Sequence, residues 1–456
     1  MKTLKVFSVI FFALTLYACT TARDLSKGKD VSPYDYGLKT AKTEIERYEV
    51  LLKVHRAAVV AGVNVDYSGI DTIRLEIPTN PSRIPLTNYN DFKGCVFVIK
   101  NNSKNTYLFN KTINGNSVEI DKRLIDSGDF RTHNFLNQGR YLLIIEDEKP
   151  WVQNRRGYDY GHKRKDILLI ENGIAKNAVI KPYNNIYSSP KCSYVKLEHN
   201  GLVIKNLIIE RDPSCTCLTN IVSVAGHDNV LIQNVCLYTP PNDLVNDRAF
   251  TINNCTNVIL KDLQIEGTYS QKNYSGYGVN MNNIWNFKAT GLHCNGNWGI
   301  FGNNNINLVN IEDSQINRFD IHCYGKDVVF NNTTFFNLYN QFSSVFGDVK
   351  FYKCTFKDFV PVLIETSYNA YTEFDLTFDN CIFYSTATKN YLIDIGGFDG
   401  ENNPRYELSE KKLPKIHIKK LKNISLETGK EKKEIQLYLD KGNFIREHSI
   451  DNIMKL

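Results

Sequence analysis

Hydrophobic and polar positions alternate in short runs along most of the chain, and from Asn200 to Phe383 one arrangement recurs. Each repeat has an apolar run, a single polar or turn residue, and a second apolar run, as in the stretch from Val230 to Leu237. The turn residues follow one another at intervals of about 19 to 29 positions: Asn206, Asn234, Asp262, Gly291, Asp313, Asn332, Lys353 and Asn380. A period of this size predicts a solenoid, in which each repeat buries its apolar face by stacking on its neighbours.

The alternation within each run predicts a short strand with one face directed inward. Asn and Asp tolerate the left-handed conformation that a tight corner requires, which explains why they recur between the strands. In this pattern the chain resembles the right-handed parallel β-helix, or pectin-lyase-like, superfamily over roughly residues 90 to 425. The resemblance implies an all-β fold, a right-handed single-stranded parallel β-helix. A leucine-rich repeat array is the competing solenoid, but its leucine and asparagine consensus is absent.

The two ends of the chain differ from the repeats. Residues Thr40 to Ala61 place apolar side chains at helical spacing, and strand-like runs follow, so we expect an N-terminal helical and strand cap over the first coil. The expected organisation is a signal peptide at 1–18, a tether at 19–31, cap and first strands at 32–165, coils at 166–405, and C-terminal strands with a cap at 406–456.

The first residues are typical of a secretory signal. Lys2 and Lys5 precede an apolar run, Val6 to Leu16, that is too short for a membrane-spanning helix. The run ends in Leu-Tyr-Ala-Cys, which resembles a bacterial lipobox and implies lipid modification of Cys19. We therefore expect a protein that is attached to a membrane through its lipid anchor. The expected location is the cell envelope, at the outer membrane, facing either the periplasm or the exterior.

Composition narrows the classes of partner. The 456 residues are 42% hydrophobic with a net charge of +6, which fits one large domain, and we expect a monomer that does not bind nucleic acid. Most cysteines stand where a coil needs a small apolar side chain, and Cys354 and Cys381 occupy equivalent places, so buried stacked thiols are expected. Cys192, Cys215 and Cys217 form the one group that could bridge across a loop, and no zinc motif accompanies them.

The densest group of reactive side chains is the run from Arg318 to Tyr324. Asp320 and His322 lie two residues apart on a predicted strand, so they share a face and a common ligand can reach both. Glu365 is expected on the same outer face about two coils further on. The functional interpretation makes Asp320, His322 and Glu365 catalytic, with Arg318 and Tyr324 contacting substrate. The alternative is that these positions are polar only because they face water.

A second group comes from the longer turns between coils. Arg248 could hold the carboxylate of an acidic sugar, with Asp247 beside it, and Tyr277 could stack on a sugar ring. Asn280, also predicted to contact substrate, is expected on the same outer face as Asp320, His322 and Glu365. Asp243 and Asp247 could instead hold a cation; Ca²⁺ is compatible with them, but no motif indicates it, so the cofactor is left open. The alternatives are a solvated turn and aromatic side chains that simply cover the exterior.

These features give three hypotheses for function. The first is a carbohydrate-active enzyme on a polysaccharide or oligosaccharide, either a glycoside hydrolase or a polysaccharide lyase, on a pectic or other acidic glycan. The second is a non-catalytic glycan-binding protein, and the third is a structural envelope lipoprotein. Polygalacturonase-like hydrolases carry a Gly-His-Gly motif and paired aspartates; this chain has only Gly226-His227 followed by Asp228, so their catalytic residues are not carried over.

Overall fold

The computed structural model describes most of the chain beyond its first 27 residues. The described ranges are 28–102, 106–152, 162–179, 191–198, 200–215, 217, 219–238, 248–266, 277–295, 299–322, 325–336, 340–342, 345–357, 360–365, 373–388, 391–396, 415–433 and 435–440. Within them no helix is long and apolar enough to cross a membrane.

Strands dominate the described residues, and helices are few. The helices are a 3₁₀ turn at Pro33–Tyr36, α1 at Glu44–Ala61 and α2 at Lys122–Ser127. The strands before the long repeats are β1 Thr72–Ile77, β2 Ile84–Pro85, β3 Tyr89–Asp91, β4 Val96–Asn101, β5 Thr106–Thr112, β6 Asn116–Val118, β7 Arg140–Val152, β8 His162–Glu171, β9 Ile174–Ala175 and β10 Lys191–Lys196. Those that follow are β11 Leu202–Arg211, β12 Thr219–Ala225, β13 Asp228–Tyr238, β14 Arg248–Glu266, β15 Tyr277–Thr290, β16 His293–Asn295, β17 Gly299–Glu312, β18 Gln315–Ile316, β19 Phe319–Ile321, β20 Gly325–Asn331, β21 Thr334–Phe336, β22 Asn340–Phe342, β23 Val345–Tyr352, β24 Thr355–Lys357, β25 Val362–Glu365, β26 Glu373–Asp379, β27 Cys381–Ser385, β28 Tyr391–Gly396, β29 Lys415–Ile418, β30 Leu421–Ser425, β31 Glu431–Lys432 and β32 Gln436–Asp440.

The chain divides into two compact units. Unit 1 comprises residues 1–114, 197–279 and 295–298, and unit 2 comprises residues 115–196, 280–294 and 299–456. In both units the strands of successive coils pair in parallel, and the all-β parallel β-helix predicted from the repeat is confirmed.

Unit 1 begins with a cap formed by helix α1. Thr43 and Glu46 form a capping box at its first turn, and Gly62 ends it in the left-handed conformation. The buried face of α1 packs on β1 and β2, and it carries His55, which is 1% exposed. The predicted helix at Thr40 to Ala61 is therefore present from Glu44, where the capping box starts it.

The coils of unit 1 are built from strands that pair in parallel across large sequence distances. Strand β11 pairs with β3, β4 and β13, while β12 pairs with β5 and β14. Strands β4 and β5 thus belong to the parallel coils already, so these begin well before the boundary at residue 166 expected from the sequence.

The turn residues that mark the repeat occupy the corners of the coils. All of them, from Asn206 to Asn380, have positive φ, between 47° and 66°. Asparagine suits these corners for a second reason, because its amide bonds to the residue on the next coil. The Nδ2 of Asn234 donates to Oδ1 of Asn206 at 2.7 Å, and the Nδ2 of Asn332 donates to Oδ1 of Asp313 at 2.7 Å.

Unit 2 has three series of parallel strands. One runs β17, β20, β23, β26, β29; another runs β18, β21, β24, β27, β30; the third runs β19, β22, β25, β28, β32. The core is lined with phenylalanine. The Phe351 ring lies 4.9 Å from that of Phe330 and 5.3 Å from that of Phe378, nearly parallel to both.

An antiparallel sheet forms a separate part of unit 2, in the order β6-β10-β7-β8-β9. It has its own apolar core, which includes Phe130, Leu143 and Leu168. The sequence predicted strands here but not their antiparallel pairing, since apolar runs do not indicate the direction in which two strands pair.

The cysteines that the structure describes form no disulfide with one another, and most are buried. Cys354 and Cys381 lie on successive coils as expected, where burial raises the pKa of the Cys354 thiol. Cys192, Cys215 and Cys217, the group considered for a bridge, form no disulfide with one another.

Candidate functional site

Arg318, Asp320 and His322 lie on and beside strand β19 in unit 2. The Nε of Arg318 donates to Oδ1 of Asp320 at 2.5 Å, and Nε2 of His322 lies 3.7 Å from the other carboxylate oxygen, Oδ2. The chain therefore brings Arg318, Asp320 and His322 together. A carboxylate at this distance stabilises the positive charge that an imidazole gains when it takes up a proton.

Burial separates the roles of these three side chains. Asp320 and Arg318 are completely buried, whereas the side chain of His322 is 12% exposed. The sequence predicted Asp320 on an outer face and Arg318 in contact with substrate, and both predictions are corrected: neither side chain is accessible to a ligand. Alternation assigns a residue to one face of a strand, but it does not tell whether that face is covered. Of the three, only His322 can meet a substrate.

The polar positions on the neighbouring coils of unit 2 surround this group. The Nδ2 of Asn303 donates to the backbone oxygen of Asp320 at 2.9 Å, and the backbone N–H of His322 donates to the backbone oxygen of Asn303 at 3.0 Å. The adjacent Asn304 donates through Nδ2 to Oδ1 of Asn282 at 2.8 Å. Asn304 and Asn282 are partly exposed, as is Asn280, a predicted ligand contact. A rigid amide ladder thus precedes His322 along the stack.

Five predicted residues lie wholly or partly outside what the structure describes. Cys19, Asp243, Asp247 and Tyr324 are beyond the described residues. Glu365 ends strand β25, and its backbone pairs with Gly396, but its side chain is not among those described. Because Ile321 pairs with Phe342 and Phe342 with Ile364, Glu365 follows His322 by two coils, as expected from the repeat.

Unit 1 contains a second group, around the predicted ligand residue Arg248. Tyr107 pairs with Asn220, and Asn220 pairs with Arg248, so the three stand in register on successive coils. Each lies two residues before a buried core residue, and Tyr277 has the same place before Val279. We call Tyr107, Asn220, Arg248 and Tyr277 the entry column. Tyr107, Arg248 and Tyr277 are partly exposed, and Asn220 is buried.

Burial governs the electrostatics of Arg248. It lowers the pKa of the guanidinium, and the nearby Tyr107 and Tyr277 act in the opposite direction. The Nε is buried and has no hydrogen-bond partner among the described residues. Arg83 adds a second guanidinium, centred 4.4 Å from the Tyr107 ring, and its Nη1 donates to Oδ1 of Asn110 at 3.3 Å.

Sequence reasoning found Arg248 and Tyr277 but missed Tyr107, Asn220 and Arg83. The sequence did contain a signal for Tyr107 and Asn220, since Tyr107 precedes Phe109 by two residues as Arg248 precedes Phe250. The repeat begins to be recognisable only after Asn200, and Tyr107 stands before the antiparallel sheet that interrupts the coils. Arg83 lies outside any regular pattern and had no such signal.

The histidine of the partial Gly-His motif, His227, is buried inside the protein. His227 is 0% exposed, and burial lowers its pKa to about 4, with Lys111 acting in the same direction. The adjacent Asp228 accepts bonds from Oγ1 of Thr256 at 2.5 Å and Nδ2 of Asn257 at 2.8 Å. This pattern holds neighbouring coils together and leaves His227 with no access to a ligand.

Unit 2 contains a second histidine–aspartate pair, which can be compared with His322 and Asp320. The Nε2 of His417 lies 3.5 Å from Oδ2 of Asp375, with the two side chains 37% and 47% exposed. Such an exposed pair is weak and solvated. Among the described residues, no three or more His, Cys, Asp or Glu side chains are grouped as a metal ion would require.

No protein-family model matches the sequence, and no curated protein matches it. Solved structures similar to the chain include two tailspikes of Pseudomonas phages. With gp49 of phage LKA1 the identity is 12% and the TM-score 0.39, over 87% of this chain and 79% of that one. With gp61 of phage phi297 the identity is 11% and the TM-score 0.46, over 81% and 73%.

A third similar structure is the Gp54 tailspike of Acinetobacter baumannii bacteriophage AP22, solved in complex with A. baumannii capsular saccharide. It shares 13% identity with a TM-score of 0.45, over 87% of this chain and 69% of that one. These similarities are too distant to carry any property of the tailspikes over to this chain.

Proposed function

We propose that this protein acts on a polysaccharide and that His322 is the group that transfers the proton in the reaction. The proposal depends on one observation above all: a fully buried carboxylate, Asp320, is held by Arg318 and faces a partly exposed imidazole. The buried ion pair fixes the position of the negative charge, and His322 is the only one of the three that solvent reaches. This is the arrangement that a general base requires.

The burial of Asp320 favours a lyase over a hydrolase. Glycoside hydrolysis by the usual route needs two carboxyl groups that both reach the scissile bond, and Asp320 does not. Elimination from a uronate needs one base. His322 would take the proton on the carbon next to the sugar carboxylate, and the electron pair of that bond would form a carbon–carbon double bond. The glycosidic bond at the adjacent carbon would break, and its oxygen would take up a proton from water.

Turnover of a panel of acidic and neutral polysaccharides tests the proposal. The wild type should release an unsaturated product from an acidic member, detected by ultraviolet absorbance, and His322→Ala should lower the rate by about 100-fold or more. His417→Ala is the matched control, since it removes a histidine from the exposed pair, and it should leave the rate within about twofold. Equal loss in both variants, or a wild type inert on the whole panel, would contradict the proposal.

A non-catalytic glycan-binding protein is the second candidate. The observation that favours it is the complete burial of Arg318 and Asp320, since buried ion pairs also occur as structural features without any catalytic role. This candidate predicts that the glycan binds to the wild type, is recovered intact after incubation, and binds equally well to His322→Ala.

The lipid anchor and the envelope location stay proposals that depend on the residues around Cys19. Fractionation of cells that express the full chain tests them. The wild type should partition with membranes and carry a lipid detectable by mass spectrometry, whereas Cys19→Ser should do neither. A wild type found entirely in the soluble fraction would contradict the anchor.

A further inference from the structure

The entry column of unit 1 has the chemistry of an anion site. One of its residues, Arg248, is only partly exposed, yet it forms no ion pair with a carboxylate among the described residues. Its buried Nε has no hydrogen-bond partner among them. Guanidinium groups in such positions are normally paired, because an unpaired buried charge is costly. An external anion would supply the missing acceptor.

The neighbours of Arg248 fit a sugar rather than a free inorganic ion. Tyr107 lies two coils away in register, or about 10 Å along the stack, and the charge of Arg248 interacts with both Tyr107 and Tyr277. Partly exposed tyrosines present flat apolar surfaces on which a sugar ring can lie. The entry column therefore combines a guanidinium group that can bind an anion with aromatic surfaces on which sugar rings can lie.

A second positive charge lies at the Tyr107 end of the column. The exposed Arg83 guanidinium stacks on the Tyr107 ring, and its bond to Asn110 fixes its direction. No acidic partner of Arg83 occurs in the part of the chain that the structure describes. Two guanidinium groups, one beside Tyr107 and the other two coils away at Arg248, suit a polymer with repeated negative charges better than a ligand with one.

We infer that the entry column is a subsite for the carboxylate or sulfate group of an acidic polysaccharide, with Arg248 holding the anion and Tyr107 and Tyr277 contacting sugar rings. This inference rests on the proposed function and specifies its substrate class. The planar guanidinium can donate two parallel hydrogen bonds to either group, which an ammonium cannot.

Calorimetric titration with pairs of polymers that differ only in charge tests this subsite. The probes are polygalacturonate against its methyl ester, and dextran sulfate against dextran. The charged member of at least one pair should bind the wild type at least tenfold more tightly than its neutral partner. Arg248→Gln should weaken that binding by about tenfold to 100-fold, and Arg248→Lys should weaken it less.

Arg56→Gln is the matched control, because Arg56 is an exposed residue of α1 in the same unit and its loss changes the net charge equally. It should alter binding by less than about twofold, and thermal unfolding of each variant checks that it is folded. The inference is overturned if neither charged polymer binds, if charged and neutral members bind equally, or if Arg248→Gln and Arg56→Gln have the same effect.

The outcome is separable from that of the proposed function. His322→Ala should abolish product formation while it leaves binding of the charged polymer unchanged, since His322 is not part of the entry column. Turnover of an acidic glycan that depends on His322, together with equally tight binding of that glycan by the wild type and Arg248→Gln, would remove the subsite and keep the proposed function. Arg248-dependent binding without turnover would do the reverse.

Discussion

Single residues at the corners of the coils carry a conformational cost that depends on their side chains. A residue with a Cβ in the left-handed region is disfavoured by roughly 1 kcal/mol, and Asn suffers less than most. Three described residues with positive φ are not Gly, Asn or Asp, and one of them is Lys93, with φ of 56°. Lys353 has φ of 52° between Asn332 and Asn380 in the sequence of corners, and Leu308, with φ of 56°, is also 41% exposed.

Lys353→Asn is therefore expected to stabilise the protein. The substitution reduces left-handed strain and places an amide where it can bond to Asn332, as the Asn332 amide already bonds to Asp313. The gain in the free energy of unfolding should be about 0.5 to 1 kcal/mol, measured by urea denaturation. Lys357→Asn is the control, since Lys357 is equally exposed but lies in a strand, and it should give no gain. Equal effects of the two substitutions would exclude the corner explanation.

Residue types predicted the corners well but the candidate site only in part. The repeat identified eight corners with positive φ, from Asn206 to Asn380, and most of them are Asn or Asp because a left-handed corner restricts which side chains fit. It did not identify others, such as Asn229, Asn254 and Asp327. The pairing of Asp320 with His322 followed equally from their spacing. The burial of Asp320 could not be predicted, because it depends on what packs over the strand and not on the strand's own alternation.

At the scale of elements, helix α1 closes the first coil and brings a titratable group into the core. The Nδ1 of His55 lies 3.0 Å from the Pro85 oxygen and Nε2 lies 2.7 Å from the Tyr67 hydroxyl. A carbonyl oxygen only accepts, so Nδ1 carries the hydrogen and Nε2 accepts from Tyr67. His55 is thus buried as a neutral imidazole, and burial lowers its pKa from 6.5 to about 4.

This cap should make the protein sensitive to mild acid. In the unfolded chain His55 takes up a proton below about pH 6.5, but in the folded chain only near pH 4, so the unfolded state gains protons over that window. The stability contributed by neutral His55 is complete above pH 6.5 and is lost as the pH falls towards 4, by up to roughly 3 kcal/mol. The buried His227, whose pKa is also about 4, adds in the same direction.

Urea denaturation of the wild type and His55→Gln at pH 7 and at pH 4.5 measures this contribution. Glutamine can replace both hydrogen bonds but does not titrate, so its stability should fall less over the interval than that of the wild type. His293→Gln, at an exposed position, should keep the full wild-type dependence. If His55→Gln lost as much stability as the wild type between the two pH values, the cap histidine would not be the source.

At the scale of the whole molecule, stacked coils interact mainly with their neighbours, so a defect in one coil should stay local. The sequence repeat predicted this architecture, because each coil repeats the same inward and outward positions. The resemblance over residues 90 to 425 includes strands β4 and β5, but the expected start of the coils at residue 166 left these two strands out of them. Their partners β11 and β12 follow about 100 residues later, and pairing over that distance is not expressed in any local pattern.

Phe351→Ala tests how far a defect spreads. The ring is 0% exposed and stacks between Phe330 and Phe378, so its removal leaves a cavity that should cost about 3 to 5 kcal/mol. Hydrogen exchange followed by mass spectrometry should show faster exchange in β20, β23 and β26, and unchanged exchange in β11 and β13 of unit 1. Phe351→Leu fills most of the cavity and should show the same pattern more weakly. Faster exchange throughout both units would mean that the coils unfold as one cooperative body, and the nearest-neighbour description of this solenoid would then be wrong.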